Sequence, residues 1–270
     1  MQSRVAFAAL FACACGGFIE RETATSMLRI LESSQVAARR LGDVELARDA
    51  LAGGIVQLAA FELAFPEEPR FAALHADAVC DYAQGFVFDA WEDATLAGRE
   101  DEAKTTSARL GVLLGECIAL EDARLPKGWT TATLRPDDVP AALAIGRAKA
   151  VKLALAPMAM LGELPSLREL LERCATLRPG FHDGDAELLL GIIATQLAKF
   201  LPGNAGEVWF QRAAARTGEG VLMVALVRAH ATGAKDELER IANADLSRWP
   251  EHRLANALAV RKARRYLAYP

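Results

Sequence analysis

From residue 20 onward, apolar residues return at intervals of three and four, the spacing that gathers them on one face of a helix. Met27, Leu28 and Leu31 begin the first such stretch, which runs out near Leu41-Gly42. Asp43 then offers a side-chain oxygen to the free amides of a second helix, VELARDALAGGIVQLAAFELAF, with Leu51, Ile55 and Leu58 on one face. Pro66 and Pro69 stop it, because a proline ring clashes with the preceding turn. Phe71, Leu74, Ala78 and Tyr82 mark a third helix that continues through Phe86 to about Leu96, with Gly98 at its end. Glu102 to Ala123 forms another. The stretch 124–140 has no period and holds three prolines and Trp129. Asp137 or Asp138 then caps a new helix with Pro140 in its first turn, where the missing N–H does no harm.

The second half repeats the pattern. Leu167, Leu170, Leu171, Cys174 and Leu177 form a narrow stripe. Asp183 or Asp185 opens a helix over 186–201, and LPGN at 201–204 is a tight turn. A short helix covers Glu207 to Thr217. The run VLMVALVRA (221–229) is apolar nearly all round, so other elements must wrap it. Asp236 to Leu246 and Arg253 to Leu267 complete the chain. This succession predicts an all-α fold of stacked antiparallel helix pairs, a tetratricopeptide-like α-solenoid, as a single domain over 18–270. No clean 34-residue repeat is present.

The N-terminus breaks the pattern. Arg4 precedes a short apolar run, VAFAALFA (5–12), followed by Cys13, Cys15 and Gly16-Gly17. About eight apolar residues are too few to span a hydrocarbon core of about 30 Å, but they suit the core of an export signal. Leu10-Phe11-Ala12-Cys13 is similar to a bacterial lipobox. Ala12-Cys13-Ala14-Cys15 is a second frame for it, so the expected lipid anchor is Cys13 or Cys15 and the expected signal segment is 1–17. The competing interpretation is the apolar start of a buried helix.

Composition narrows the function. The chain has 270 residues, 52% hydrophobic and 24% charged, which excludes intrinsic disorder. A net charge of −4 supplies no global basic field for nucleic acid. The four histidines sit in no HExxH motif, and GxSxG, Walker and GxGxxG motifs are absent, so no enzyme class, cofactor or metal is indicated. His182, Asp183, Asp185 and Glu187 read as acids at a helix start rather than cation ligands. Arg261, Lys262, Arg264 and Arg265 read as cations that complement a helix C-terminus. Cys80, Cys117 and Cys174 form no CxxC pair; they are buried free thiols or, in an exported chain, hold one disulfide of undetermined pairing. Tyr82, Phe86, Phe88 and Trp91 share one helix and read mainly as core. Tyr82, Phe86 and Trp91 are the candidates there for contact with a ligand or partner.

Specific runs also resemble a known family. FHDGDAELLLG presents Phe181, Asp183 and Gly184, and EVWFQRAAARTGEGVLMVALVRAHATGAKDELERI presents Phe210, Ala213, Gly220, Leu222, Met223, Val224 and Asp236. RLANALAVRKARRYL presents Arg253, Leu254, Ala255, Asn256, Arg261 and Ala263, and upstream DYAQGFVFDAWEDA presents Tyr82, Ala83, Phe86 and Val87. Together they resemble the TRAP-transporter T-component (TatT) family. The resemblance implies a non-enzymatic, periplasm-facing lipoprotein of the bacterial envelope. Its implied partners are the periplasmic substrate-binding protein of a TRAP transporter, a small apolar or organic-acid ligand, and further copies of itself in a homotrimer. A generic tetratricopeptide-like protein–protein adaptor is the alternative function.

Overall fold

The computed structural model describes residues 22–198, 205–218 and 220–269. The expected signal segment and both anchor candidates, Cys13 and Cys15, lie outside them. Among the described residues all regular structure is helical, as the periodicity predicts. The helices are α1 (22–39), α2 (Val44–Ala64), α3 (Pro69–Tyr82), α4 (Phe88–Leu96), α5 (Glu100–Arg124), α6 (Val139–Leu155) and α7 (Pro157–Met160). They continue as α8 (Leu164–Leu177), α9 (Asp185–Ala198), α10 (Ala205–Thr217), α11 (Leu222–Thr232), α12 (Lys235–Ala242) and α13 (Arg253–Ala268).

Local chemistry sets many of these boundaries. The Asp43 side chain accepts from the amides of Glu45 and Leu46 at 3.0 and 3.1 Å, the predicted cap of α2. The Glu68 carboxylate does the same for Arg70 at the start of α3, just beyond the proline break. Three expectations need correction. The helix drawn from Phe71 to Leu96 is interrupted by a π-helical turn, Ala83–Val87. Asp138 precedes α6 but does not cap it; its Oδ2 accepts from the amide of Arg135 at 2.8 Å, closing a short 3₁₀ turn instead. The helix expected to reach Leu246 stops at Ala242, and Leu246–Arg248 is a separate 3₁₀ turn capped by Asp245.

Helices pack as neighbours in sequence: α2 on α3, α5 on α6, α9 on α10, and α12 on α13. Apolar clusters run through the stack. Leu28 and Phe71 join α1 to α3, with Phe61 and Phe65 stacked on Phe71 at 5.4 and 5.5 Å. Leu110, Leu114 and Val79 pack α5 on α3, and Leu143, Leu171 and Leu190 join α6, α8 and α9. Each fully buried leucine or phenylalanine contributes about 1.5–3 kcal/mol through the apolar area it removes from water. Small residues bring α9 and α10 close. A Cβ added to Gly191 would lie 2.6 Å from the ring of Phe210, so only glycine leaves room for that ring.

The stack does not run out as an open solenoid. Helix α13 packs back on α2, and its cations meet the acids of α4. Arg265 donates from Nη1 to Glu92 Oε2 at 2.7 Å and from Nε to Asp93 Oδ1 at 2.9 Å, while its Nη2 lies 2.9 Å from Asp89 Oδ1. Lys262 donates to the same Glu92, Tyr266 donates to it at 2.7 Å, and Arg261 donates to Glu45 of α2 at 2.7 Å. Arg261, Lys262 and Arg265 thus form an inter-helix ion network, not the simple complement to their own helix end expected from position, while Arg264 donates to the Ala242 carbonyl at the end of α12 at 3.1 Å. Arg265 and Asp89 are almost wholly buried in this seam.

Candidate functional site

Closing the stack leaves a cleft of about 990 Å³ between α1–α3 on one side and α6, α9, α11 and α13 on the other. That volume lies in the range of small-molecule sites, about 300–1,000 Å³. Its walls are largely apolar, with Leu51, Leu58, Phe86, Leu188, Met223 and Leu258 among the lining residues. The π-helical turn carries Gly85 and Phe86 to this wall. Single π turns inside helices recur at functional sites.

The sequence candidates separate here. Phe86 borders the cleft, its ring 6.1 Å from that of Tyr82. Tyr82 lies behind the lining; its hydroxyl accepts a hydrogen bond from Arg109 at 2.8 Å. Trp91 stacks on Phe88 at 5.4 Å, away from the cleft, and Lys262 sits over the Phe88 ring. The structure therefore brings Tyr82 and Phe86 together and leaves Trp91 apart.

Three charged residues meet at the cleft surface. Arg147 of α6 lies between Asp81 of α3 and Asp185 of α9, with Nη1–Oδ1 and Nε–Oδ2 separations of 3.7 and 3.5 Å. Both exceed the charge-assisted hydrogen-bond range of about 2.7–2.9 Å, so charge alone couples them. Burial works against the Arg147 charge, but Asp185 and Asp81 more than offset it and hold its pKa above the ordinary arginine value. Burial pushes the Asp185 carboxyl above its usual range, and Arg147 only partly restores it. Arg147 and Asp81 belong to no local motif in the sequence. The available signal is one arginine, with Lys149 and Lys152, in the mainly apolar segment AALAIGRAKAVKLAL.

The segment leading into α9 is shaped for this surface. Gly180, His182, Asp183 and Gly184 all have positive φ, and a Cβ on Gly184 would lie 3.2 Å from the backbone of Ala213 in α10. Two consecutive non-glycine residues in the left-handed region are uncommon, though Asp and His tolerate it better than most. The turn sets His182, Asp183 and Asp185 on the cleft lining, where Asp183 Oδ2 lies 3.7 Å from His252 Nδ1. Other motif residues are structural. Asn256 accepts from the Leu222 amide and donates to the Gly220 carbonyl, both at 2.9 Å, and so fixes the start of α11 on α13.

Behind the cleft, Cys80 of α3 and Cys117 of α5 form a disulfide, resolving the pairing that the sequence leaves open. Cys174 is a free, buried thiol whose pKa burial pushes up to about 12, so it is inert as a nucleophile. Glu121, fully buried beside this disulfide, is held by Arg124 at 2.6 Å, and Arg124 also reaches Asp77 at 3.0 Å. Burial, reinforced by the Asp77 charge, raises the Glu121 carboxyl to about 8. Among the described residues, no group of three or more His, Cys, Asp or Glu is placed to hold a metal ion. None of the described helices is long and apolar enough to cross a membrane.

A family model described as TRAP transporter T-component matches residues 121–269, more than half of the chain. The matched part takes in the motifs from Phe181 to Ala263 and stops short of the 81–94 segment. No curated protein matches the chain.

Proposed function

The chain belongs to the TRAP transporter T-component family, and on that footing we propose that it is a non-enzymatic accessory of TRAP-type solute transport in the bacterial envelope. In this role it docks the periplasmic substrate-binding protein of the transporter and passes a small, largely apolar ligand through its cleft. The observation that carries the ligand role is the cleft itself, about 990 Å³ with mostly apolar walls and a few convergent charged groups. Phe86 is the wall contact of the sequence candidates. Tyr82 supports it from behind, and Trp91 would serve a partner rather than the ligand.

The Cys80–Cys117 disulfide supports a location outside the cytoplasm, because such bonds persist in oxidising compartments. Anchoring would run through a lipid on Cys13 or Cys15, and assembly through a homotrimer. The full-length protein, mixed with the purified substrate-binding protein of a TRAP transporter from the same cell, is expected to co-elute with it in size-exclusion chromatography. Separate elution at tens of micromolar would overturn the docking role. Membrane fractionation checks the anchor: the Cys13→Ser, Cys15→Ser double variant is expected to leave the membrane pellet, and its retention there would rule a lipid anchor out. Native mass spectrometry of the parent reads the trimer and any co-purified ligand together.

A further inference from the structure

Two stretches at the rim of the cleft add nothing to the core. No residue is buried from 29 to 46, the end of α1 and the turn into α2, and none from 243 to 255, the connection from α12 into α13. Helix α6, on the cleft wall, buries eight. Between Ala242 and Arg253 the chain makes only two 3₁₀ turns, Leu246–Arg248 and Pro250–His252. Leu246 and Trp249 rest half-buried on the core shared by α11, α12 and α13, while Glu251 and His252 turn to the cleft. Three consecutive residues then reach both sides of its mouth. Glu251 accepts from Arg40 Nε at 2.9 Å and from Arg40 Nη2 at 2.7 Å. His252 Nδ1 lies 3.7 Å from Asp183 Oδ2 on the turn before α9. The Arg253 side chain lies against Gly42, its Nε 2.8 Å from where a Cβ would stand.

These ties are weak. The Arg40 and Glu251 side chains are 54% and 61% exposed, and ion pairs in that setting add little to stability and are screened by salt. His252 and Asp183 stand beyond hydrogen-bond range. A stretch with no buried residue, held by exposed polar contacts, opens at far lower cost than the core beneath it. Its two posts are better held. Asp183 belongs to a left-handed turn packed against α10, and α1, which ends at Arg40, is seated at its other end by Leu28 on Phe71.

We propose that residues 243–252 form a strap across the mouth of the cleft, tied by Glu251 to α1 and by His252 to the turn before α9, whose lifting sets the rate at which a ligand enters and leaves. This rests on the cleft being a ligand site and adds how that site is reached. The two ties hold protein to protein, so loosening them raises the open fraction with and without ligand by the same factor. Entry and exit then quicken together and the affinity stays at the parental value.

The test is stopped-flow fluorescence of the full-length protein with N-phenyl-1-naphthylamine, an uncharged apolar probe. Arg39 adjoins Arg40 on the same rim and can take over its carboxylate, so the first tie is cut from the Glu251 side. Glu251→Gln and, independently, Asp183→Asn, which keeps a residue that tolerates the left-handed backbone, are each expected to raise the association and dissociation rate constants about two- to five-fold with their ratio unchanged. The exchange Arg40→Glu with Glu251→Arg is expected to restore the parental rates. Parental rates in both single variants, faster dissociation alone, or no rescue by the exchange overturns the strap while leaving the cleft as a ligand site. Met223→Gln, on the cleft wall, locates the probe and is expected to weaken it several-fold. Parental affinity in that variant, or no binding to the parent at all, removes the cleft as the ligand site and the strap with it.

Discussion

The seam between α4 and α13 and the charged surface of the cleft use the same parts to different ends. Each sets an arginine among aspartates and glutamates that come from distant helices. In the seam, Arg265 contacts three carboxylates at 2.7–2.9 Å and is almost fully buried. In the cleft, Arg147 faces two at 3.5 and 3.7 Å and remains partly exposed. A guanidinium presents five donors in a rigid fork; the seam engages Nε and Nη1 in short hydrogen bonds, while Nη2 meets Asp89 Oδ1 through charge alone. The tight arrangement ties α13 to α4, and the loose one stands at the proposed ligand cleft.

Removing the seam cation is the most severe way to probe that contrast. Arg265→Met leaves Asp89 and Glu92 buried with one cation fewer, a loss expected to cost about 3–5 kcal/mol in urea unfolding. A loss under about 1 kcal/mol would mean that the seam is no tighter than a surface pair. The disulfide comes next. Opening it with Cys117→Ser frees the unfolded chain between residues 37 apart and is expected to cost roughly 3 kcal/mol, measured against the parent under non-reducing conditions.

Acid titration separates a third pair of groups. Glu92 and Asp93 in the seam are held below the usual carboxylate range. Burial alone would raise them, but for Glu92 the Lys262 charge, and for Asp93 the Arg99 hydrogen bond, win. Their stabilisation is present above the unfolded-state pKa and is lost as pH falls through the folded one. Glu121 has the opposite sign. With its carboxyl raised from 4.5 to about 8, the folded state binds the extra proton, so stability falls as pH rises across that window. Melting temperatures of the parent are expected to decline from pH 5 to pH 8 relative to Glu121→Gln, which lacks that titration. Parallel profiles would show that Glu121 ionises normally. The smallest expected effect is on the cleft. Arg147→Met is expected to change stability by about 1 kcal/mol or less, as for loosely held pairs, while altering ligand titrations strongly. A loss of several kcal/mol would place Arg147 with Arg265 as a fold residue.

Much of this molecule was legible in its sequence. The Asp43 cap, the proline break before α3 and the all-round apolar α11 follow from local rules, and the structure has each of them. What escaped depends on pairing across distance. Arg261, Lys262 and Arg265 sit near a helix end, where a local rule already accounts for cations; nothing nearby names Asp89 and Glu92 as their partners. The π turn was hidden because Ala83–Val87 has the composition of an ordinary helix, and the extra residue is set by what packs around it. The aromatic group on 82–91 was visible, but its division between cleft and exterior depends on that turn. For the cleft, Asp185 is a helix-start acid in the sequence, while its grouping with Asp81 around Arg147 needs α3, α6 and α9 to be brought together.

The seam also has a consequence for how the chain reaches its native state. Asp89 and Glu92 take their cations from residues about 170 positions further along, whereas Asp93 and Glu45 also have the local partners Arg99 and Arg48. Contacts of such separation form late, after the loop-closure entropy between them has been overcome. During synthesis, Asp89 and Glu92 of α4 therefore lack their cations until α13 arrives. A chain lacking that last helix would lose the cleft wall that Leu254, Ala255 and Leu258 supply. Ligand capacity would then be the final property acquired, and it would mark complete molecules apart from partial ones.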